Sequence, residues 1–441
     1  MTATATLAGL RGTADFEALG REMHALVAAL YPLCRSITGD GLRKTLGTLS
    51  AVAPLAVREV PTGTEVLDWT VPKEWNIRDA WVANARGERV IDFRKSNLHV
   101  VNYSVPVRAR LPLSELRSRL HTLPDRPDWI PYRTSYYAED WGFCLAHRDL
   151  ERLPEEEYDV AIDATLENGS LSYGELFLPG EDPREILLSA HACHPSLAND
   201  NLSGMVLAAV LARSLSGVAR RFSYRFLFVP GTIGSIAWLS RNRETLSRVH
   251  AGLVVACVGD SGPLTYKKSR RGDAEIDRAA IHVLRSSGQP HAILDFSPYG
   301  YDERQYCSPG FNLPVGSLTR TPHGRYPEYH TSADDCGFVR AESLAGSLRA
   351  YLGVLAVLEG NGRYRNTRPE GEPQLGKRGL YGALGGLPDP GAAAMAMLWV
   401  LNLSDGGPTL LEIADRAGLP FDRVRAAADA LAAHGLLDRA E

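Results

Sequence analysis

The sequence has no apolar run of the length that crosses a bilayer. Its first residues, MTATATLAGLRGTADFEALG, lack the apolar centre of a signal peptide. No membrane partner is expected. Charge of one sign is also scarce in excess: 48 Lys+Arg against 52 Asp+Glu give a net charge of -4 over 441 residues. That balance argues against nucleic acid as a partner. Cysteine is sparse and scattered. Cys34, Cys144, Cys193, Cys257, Cys307 and Cys336 form no C-x-x-C pair and no disulfide-framework spacing. Reduced thiols and a cytoplasmic location are the expectation.

What remains is a globular composition, 44% hydrophobic and 23% charged. The length exceeds one ordinary core and predicts two or three domains. Four regions separate along the chain. Residues 1–58 carry helical periodicity, broken at Gly39-Asp40-Gly41. Residues 59–178 change to short β-type runs such as GTEVLDWTV, DAWVANARGERVIDF and LHVVNYSVPV, punctuated by turn residues. Residues 179–365 alternate helical stretches with EILLSAH, YRFLFVP and AGLVVACVG. Continuous apolar runs of this kind predict strands buried on both faces of a parallel sheet. A Gly/Pro/Arg-rich link then leads to residues 376–441, which read as helix, helix, a turn at Gly418 and helix. Asp422, Arg423, Arg425 and Asp429 balance one another there. Few cations are offered to phosphates, so docking or homo-oligomerisation is expected of this tail.

Ligands of open α/β sheets gather at the carboxyl ends of the strands, and each buried run ends on something suggestive. LLSAHACHPSLANDNLSG, residues 187–204, places His191, Cys193, His194 and Asp200 together. YRFLFVP leads into Gly231-Thr232-Ile233-Gly234, and AGLVVACVG leads to Asp260. YPEYHTSADD adds His330, with Glu328, Asp334 and Asp335 nearby. Imidazoles and carboxylates gathered from separate strand ends suit zinc. Hydrolysis further requires an open position for water and a carboxylate base. Blander roles compete: Asp260 before Ser-Gly suits a turn, Cys193 suits packing, and Glu303 suits a surface pair with arginine.

These motifs resemble the signatures of the zinc aminopeptidase superfamily that also contains glutaminyl cyclase. There a strand-end His is followed by an Asp-Asn with a small residue and Gly, then Glu-Glu-x-Gly, then Tyr-His-Thr. SNLHVVNYSVPV, SYYAEDWGFC and YDERQYCSPGFNLPVGSLTR further resemble a bacterial aminopeptidase-like group within it. The resemblance implies an α/β fold, a zinc-peptidase-like, mostly parallel sheet flanked by helices, with an inserted β-rich domain and a C-terminal winged helix. It also implies a metal-bridging role for Asp200, a ligand role for His330 and a supporting role for Asp334, with Glu328 alongside. The strand-end ligand is His191 by strand length or His194 by its CHP turn, and Asp260 stands as the remaining carboxylate ligand.

The departures from the pattern matter. Thr232 replaces the second Glu of Glu-Glu-x-Gly, which implies one zinc ion rather than two. Gly231 replaces the proton-shuttling Glu, and loss of a general base costs roughly two to four orders of magnitude. Glu303 in YDERQY is the expected catalytic substitute. The implied function is a zinc-dependent enzyme acting on an amide or related acyl bond of a small amine-bearing or peptide-like substrate, in a biosynthetic setting. A catalytically silent binding or scaffold protein is the alternative.

Overall fold

The apolar runs take their places in one eight-stranded sheet of the computed structural model, which describes residues 6–380 and 390–440. Residues 381–389 of the predicted tail region lie outside the described residues. The strand order is Ala56–Pro61, Ser170–Leu178, Phe222–Val229, Asp182–His191, Val249–Val255, Val315–Thr319, Leu264–Lys267, His291–Leu294. The four central strands, 222–229 to 315–319, run parallel, and antiparallel strands flank them. Every residue of Phe222–Val229 is buried, as expected where both sheet faces are covered. Helices Gly204–Ser216 and Ile233–Arg241 make the crossovers. Register brings the strand ends level, with His191 opposite Val229 and Ser189 opposite Val254.

The β-type runs of the second region form a four-stranded antiparallel sheet, Arg89–Asp92, Glu74–Ala83, Glu157–Glu167, Val107–Pro112. Trp75, Val82, Tyr158, Val160 and Ile162 are buried in its core, and the Trp75 indole N–H donates to the Ser104 carbonyl at 2.8 Å.

The chain divides into two compact units, residues 1–272 with 292–349, and residues 273–291 with 350–441. Apart from His291, both sheets just described belong to the first. The second contains a three-stranded sheet, Asp405–Thr409, Arg363–Asn366, Leu437–Ala440. With helices Pro390–Leu403, Leu410–Ala417 and Phe421–Ala433 this is a winged helix. Thr409 and Glu412 form a capping box at the start of the middle helix. Gly418, at φ 64°, ends it in the left-handed conformation that glycine adopts without strain. Helix Glu275–Ser286 belongs to the same unit. Its His282 pairs with Asp415 at 2.7 Å and accepts from the Phe421 N–H at 3.0 Å, partners more than a hundred residues away in sequence.

One expectation needs correction. Helix Ala341–Gly360, 20 residues with an 18-residue window of mean hydropathy 1.3, is long and apolar enough to cross a membrane by length and composition. Of that window 72% is buried within the protein, which is the setting of a core helix.

Candidate metal centre

His191 is the last residue of its strand and 1% exposed. Its Nε2 lies 2.8 Å from Asp200 Oδ1. His330 approaches from the loop before the long helix, with its Nε2 3.1 Å from Asp200 Oδ2. The two oxygens of one carboxylate are thus each met by an imidazole, one from a strand end and one from a loop. His194 completes the group: its ring centre lies 5.1 Å from those of both His191 and His330. Donor atoms of His191, His194 and Asp200 all lie within 4.8 Å of one another.

The asparagines around Asp200 have work of their own. Asn201 Nδ2 donates to the carbonyls of His191 at 3.2 Å and Val255 at 3.0 Å, joining two strand ends. Asp334 accepts from the backbone N–H groups of Asn199 at 2.6 Å and Asp200 at 3.0 Å. It therefore fixes the loop that presents the central carboxylate. Glu328 contributes its carbonyl, which accepts from the Thr331 hydroxyl at 2.8 Å and holds the His330 turn. The inserted region reaches the same turn. The Tyr132 N–H donates to the His330 carbonyl at 2.8 Å, and the Tyr132 ring stands edge-on to His330 at 5.0 Å. From the N-terminal helical segment, buried Arg35 donates its Nε–H to the His194 carbonyl at 2.8 Å.

Electrostatics follow from this packing. Burial opposes ionisation of Asp200, yet the surrounding imidazoles and the hydrogen bonds from His191 and His330 hold its carboxyl well below the usual range. Burial pushes His194 down to about 3, so its imidazole is neutral and keeps the lone pair that a metal takes. Burial, with the Asp200 charge nearby, raises Asp334 to about 8. Cys193, whose Sγ lies 3.3 Å from His194 Nδ1, is raised by burial to about 12 and stays a thiol. The neutral His194 imidazole beside the ionised Asp200, with the His191 and His330 nitrogens at the carboxylate oxygens, fits a nitrogen/oxygen-ligated divalent ion such as zinc.

Two expected residues have other settings. Asp260 does not join the cluster. Its Oδ1 accepts from the Gly262 N–H at 2.7 Å and the Thr321 hydroxyl at 2.6 Å, and its Oδ2 accepts from Asn199 Nδ2 at 3.1 Å. The carboxylate is saturated by neutral donors in a turn. The residue of that strand end that reaches Asp200 is Cys257, with Sγ 3.9 Å from Oδ1. Burial keeps this thiol protonated too. Glu303 is turned to Lys267, with Oε1 2.9 Å from Nζ.

The residues of YDERQY that meet the centre are its neighbours. The Tyr301 hydroxyl donates to Asp200 Oδ1 at 2.9 Å, and its ring stacks on His191 at 4.4 Å. Asp302 is fully buried and accepts from the Ser235 hydroxyl at 2.8 Å. Its Oδ2 has no partner among the described residues. A Cβ at Gly231 would stand 3.1 Å from His191 Cβ and 3.9 Å from Asp302 Oδ1. Of the expected site residues the structure therefore brings together His191, His194, Asp200 and His330, with Asp334 and Glu328 supporting their loops. Within YDERQY, Tyr301 meets Asp200 and Asp302 meets Ser235, whereas Glu303, the expected catalytic carboxylate, faces Lys267.

The mixed α/β sheet has an aminopeptidase-like fold, and a winged helix follows it in the sequence. The chain belongs to the family described as a domain of unknown function, DUF4910, whose pattern matches residues 24–361, and a winged helix-turn-helix pattern matches residues 362–439. A Clostridium acetobutylicum protein named for polysaccharide biosynthesis and an aminopeptidase-like domain is 51% identical over 412 residues, 93% of this chain and 95% of that one. The crystal structure of a candidate peptidase from the same organism superposes with a TM-score of 0.93 at 49% identity, covering 97% of this chain and 98% of that one. BSAP, a zinc aminopeptidase from Bacillus subtilis, superposes at 0.57 with 12% identity over 77% of this chain and 95% of that one. The last likeness is one of fold alone.

Proposed function

We propose that the protein is a zinc-dependent, aminopeptidase-like hydrolase that cleaves an amide or related acyl bond of a small amine-bearing or peptide-like metabolite. The observation that carries this reading is the grip on Asp200, with an imidazole nitrogen at each oxygen. Asp200, His330 and one or both of His191 and His194 would hold a single ion. Bound there, zinc supplies an activated water and a Lewis acid for the acyl carbonyl. The rest falls to the chain. Tyr301 orients Asp200 through its hydroxyl and shields the cluster with its ring. Gly231 has no carboxylate to offer, and the nearest one is Asp302. Burial, only partly offset by His191, raises Asp302 to about 6, close to the value at which a base works best near neutral pH. We assign proton acceptance to Asp302 in preference to Glu303, which is tied to Lys267.

The 51% identical relative named for polysaccharide biosynthesis supports a biosynthetic setting, and we place the protein in the cytoplasm. We also propose that the winged helix serves docking or homo-oligomerisation. Arg425 of its last helix is paired with Asp429 at 2.7 Å, which leaves that helix less charge for phosphates. The second reading, a silent scaffold, rests on Gly231. Zinc-loaded protein assayed on a panel of aminoacyl amides separates the two. Turnover that disappears in Asp302→Asn supports the enzyme; bound zinc without turnover on any amide supports the scaffold.

A further inference from the structure

Cys257 lies two residues beyond the strand Val249–Val255, at the strand end from which Asp260 was expected to reach the centre. A buried cysteine is ordinarily a small packing residue among apolar neighbours. The neighbours of Cys257 are of another kind. The side chain is fully buried, and its Sγ lies 3.4 Å from the Tyr301 hydroxyl, 3.6 Å from the Tyr326 hydroxyl and 3.9 Å from Asp200 Oδ1. Three polar oxygens gain little from a thiol, which is a weak donor and a weak acceptor. The spacing from the carboxylate suits a different partnership. Two ligands of one tetrahedral zinc, bonded at about 2.0–2.2 Å through oxygen and about 2.3 Å through sulfur, stand roughly 3.6 Å apart. Sulfur and carboxylate are within a few tenths of an ångström of that separation.

The backbone holds the thiol in this place. Cys257 has φ 50° and His330 has φ 57°, the left-handed conformation that residues other than glycine seldom adopt. Such a conformation persists where the surroundings over-determine it. At Cys257 the N–H donates to Asn201 Oδ1 at 3.3 Å, and the carbonyl accepts from the Arg320 N–H at 2.8 Å. The same Asn201 side chain donates to the His191 carbonyl at 3.2 Å. One amide therefore ties the strand end of the thiol to that of the imidazole. The phenols divide their work. Tyr301 commits its proton to Asp200 Oδ1 at 2.9 Å, which leaves the Tyr326 hydroxyl to donate toward the sulfur. The Tyr326 ring, stacked on Phe338 at 5.4 Å, fixes that donor. Hydrogen bonds of this kind orient the ligands of a metal and tune them.

We propose that Cys257 is a ligand of the metal, in the place expected of Asp260, so that the ion is held by sulfur, oxygen and imidazole nitrogen together. The inference rests on the reading of this centre as a metal site. Burial keeps the thiol protonated in the metal-free chain. A coordinating thiol is deprotonated outright: the bond to the ion replaces the S–H bond, and the proton leaves to solvent. Zinc takes all three kinds of ligand, whereas magnesium and calcium take oxygen.

Cobalt(II), which occupies tetrahedral zinc sites and reports its ligands by absorption, is the probe. The full-length protein, stripped with a chelator and loaded with cobalt(II), should show a sulfur-to-cobalt charge-transfer band in the near ultraviolet. Cys257→Ser should lose the band and bind cobalt(II) at least tenfold more weakly, since losing even an outer partner of a ligand costs about that much. Cys193→Ser should keep the band, although that thiol lies 3.3 Å from His194 Nδ1. The wild-type spectrum needs no variant to fold, so the test holds even if Cys257→Ser does not. Cobalt(II) bound to the wild type without the band would overturn the proposal, and so would a band that Cys257→Ser retains or that Cys193→Ser loses. A band in a protein that turns over no amide leaves the ligand assignment standing while the hydrolase reading falls. Turnover by a metal-loaded protein without the band does the reverse.

Discussion

Asp200 and Asp260 are both buried aspartates that follow a strand of the same sheet, and of the two only Asp200 is met by imidazoles among the described residues. Asp260 is surrounded by neutral donors, two of them from Thr321 and one from its own turn. Such donors satisfy a carboxylate and leave it nothing further to do. Asp200 is surrounded by three imidazoles, a phenol and a thiol. The imidazoles offer ring nitrogens that a metal ion can take, and hydrogen bonds from Arg35, Asn201 and Tyr132 to the carbonyls of His194, His191 and His330 hold their backbones in place. Burial and sequence type are the same in both places. The identity of the partners decides the role.

The sharpest way to break this comparison is to neutralise each aspartate. Asp200→Asn should lower zinc affinity by more than about 100-fold and abolish turnover, as measured by competition with a chromogenic chelator. Asp260→Asn should leave zinc affinity nearly unchanged. It turns an amide N–H₂ toward donors and should cost roughly 1–3 kcal/mol of stability in urea unfolding. If the two substitutions affect zinc equally, the distinction fails.

Much of this centre was legible in the sequence because its residues are close along the chain or sit in recognisable turns. His191, His194 and Asp200 fall within ten positions, and His330 lies in a Tyr-His-Thr. The saturation of Asp260 was not legible, since Thr321 lies 61 residues further on. The settings of Asp302 and Glu303 were not legible for a related reason: their partners, Ser235 and Lys267, lie 67 and 36 residues earlier in the chain. Periodicity located the buried strands. It could not assign helix Glu275–Ser286 to the second unit, because the helix's partners there, Asp415 and Phe421, are remote in sequence.

A second neutralisation sharpens the comparison. Asp302→Asn should reduce turnover roughly 100- to 10,000-fold, the size of a general-base effect, with zinc still bound. Its stability should move the other way. The folded protein holds the Asp302 proton up to about pH 6, whereas an unfolded aspartate releases it near 3.9. The raised value therefore favours the fold in acid, and this contribution is lost as the pH climbs from about 4 through 6. Asn keeps the Ser235 contact and escapes that loss. The variant should gain up to about 3 kcal/mol over wild type at pH 8 and nothing at pH 4, as followed by urea unfolding across pH. A gain that is the same at both values would contradict a buried, reluctantly ionised Asp302.

A smaller effect is expected at Gly231. A Cβ there meets His191 Cβ at 3.1 Å, and His191 is held by Asp200 with little room to yield. Gly231→Ala should weaken zinc binding severalfold and leave Asp334 and its loop undisturbed, as judged by isothermal titration and amide exchange. The smallest change is expected in the tail. Removing residues after 375 should alter oligomeric state in light scattering and leave duplex-DNA affinity unchanged.

The most direct test of the account is the metal content of the purified protein and of His330→Ala, determined by elemental analysis after dialysis against metal-free buffer. The account predicts close to one zinc per chain in the wild type and a marked loss in the variant, because His330 holds one of the two oxygens of Asp200. Wild-type protein that binds no zinc when zinc is supplied, or a variant that keeps its full complement, would contradict it.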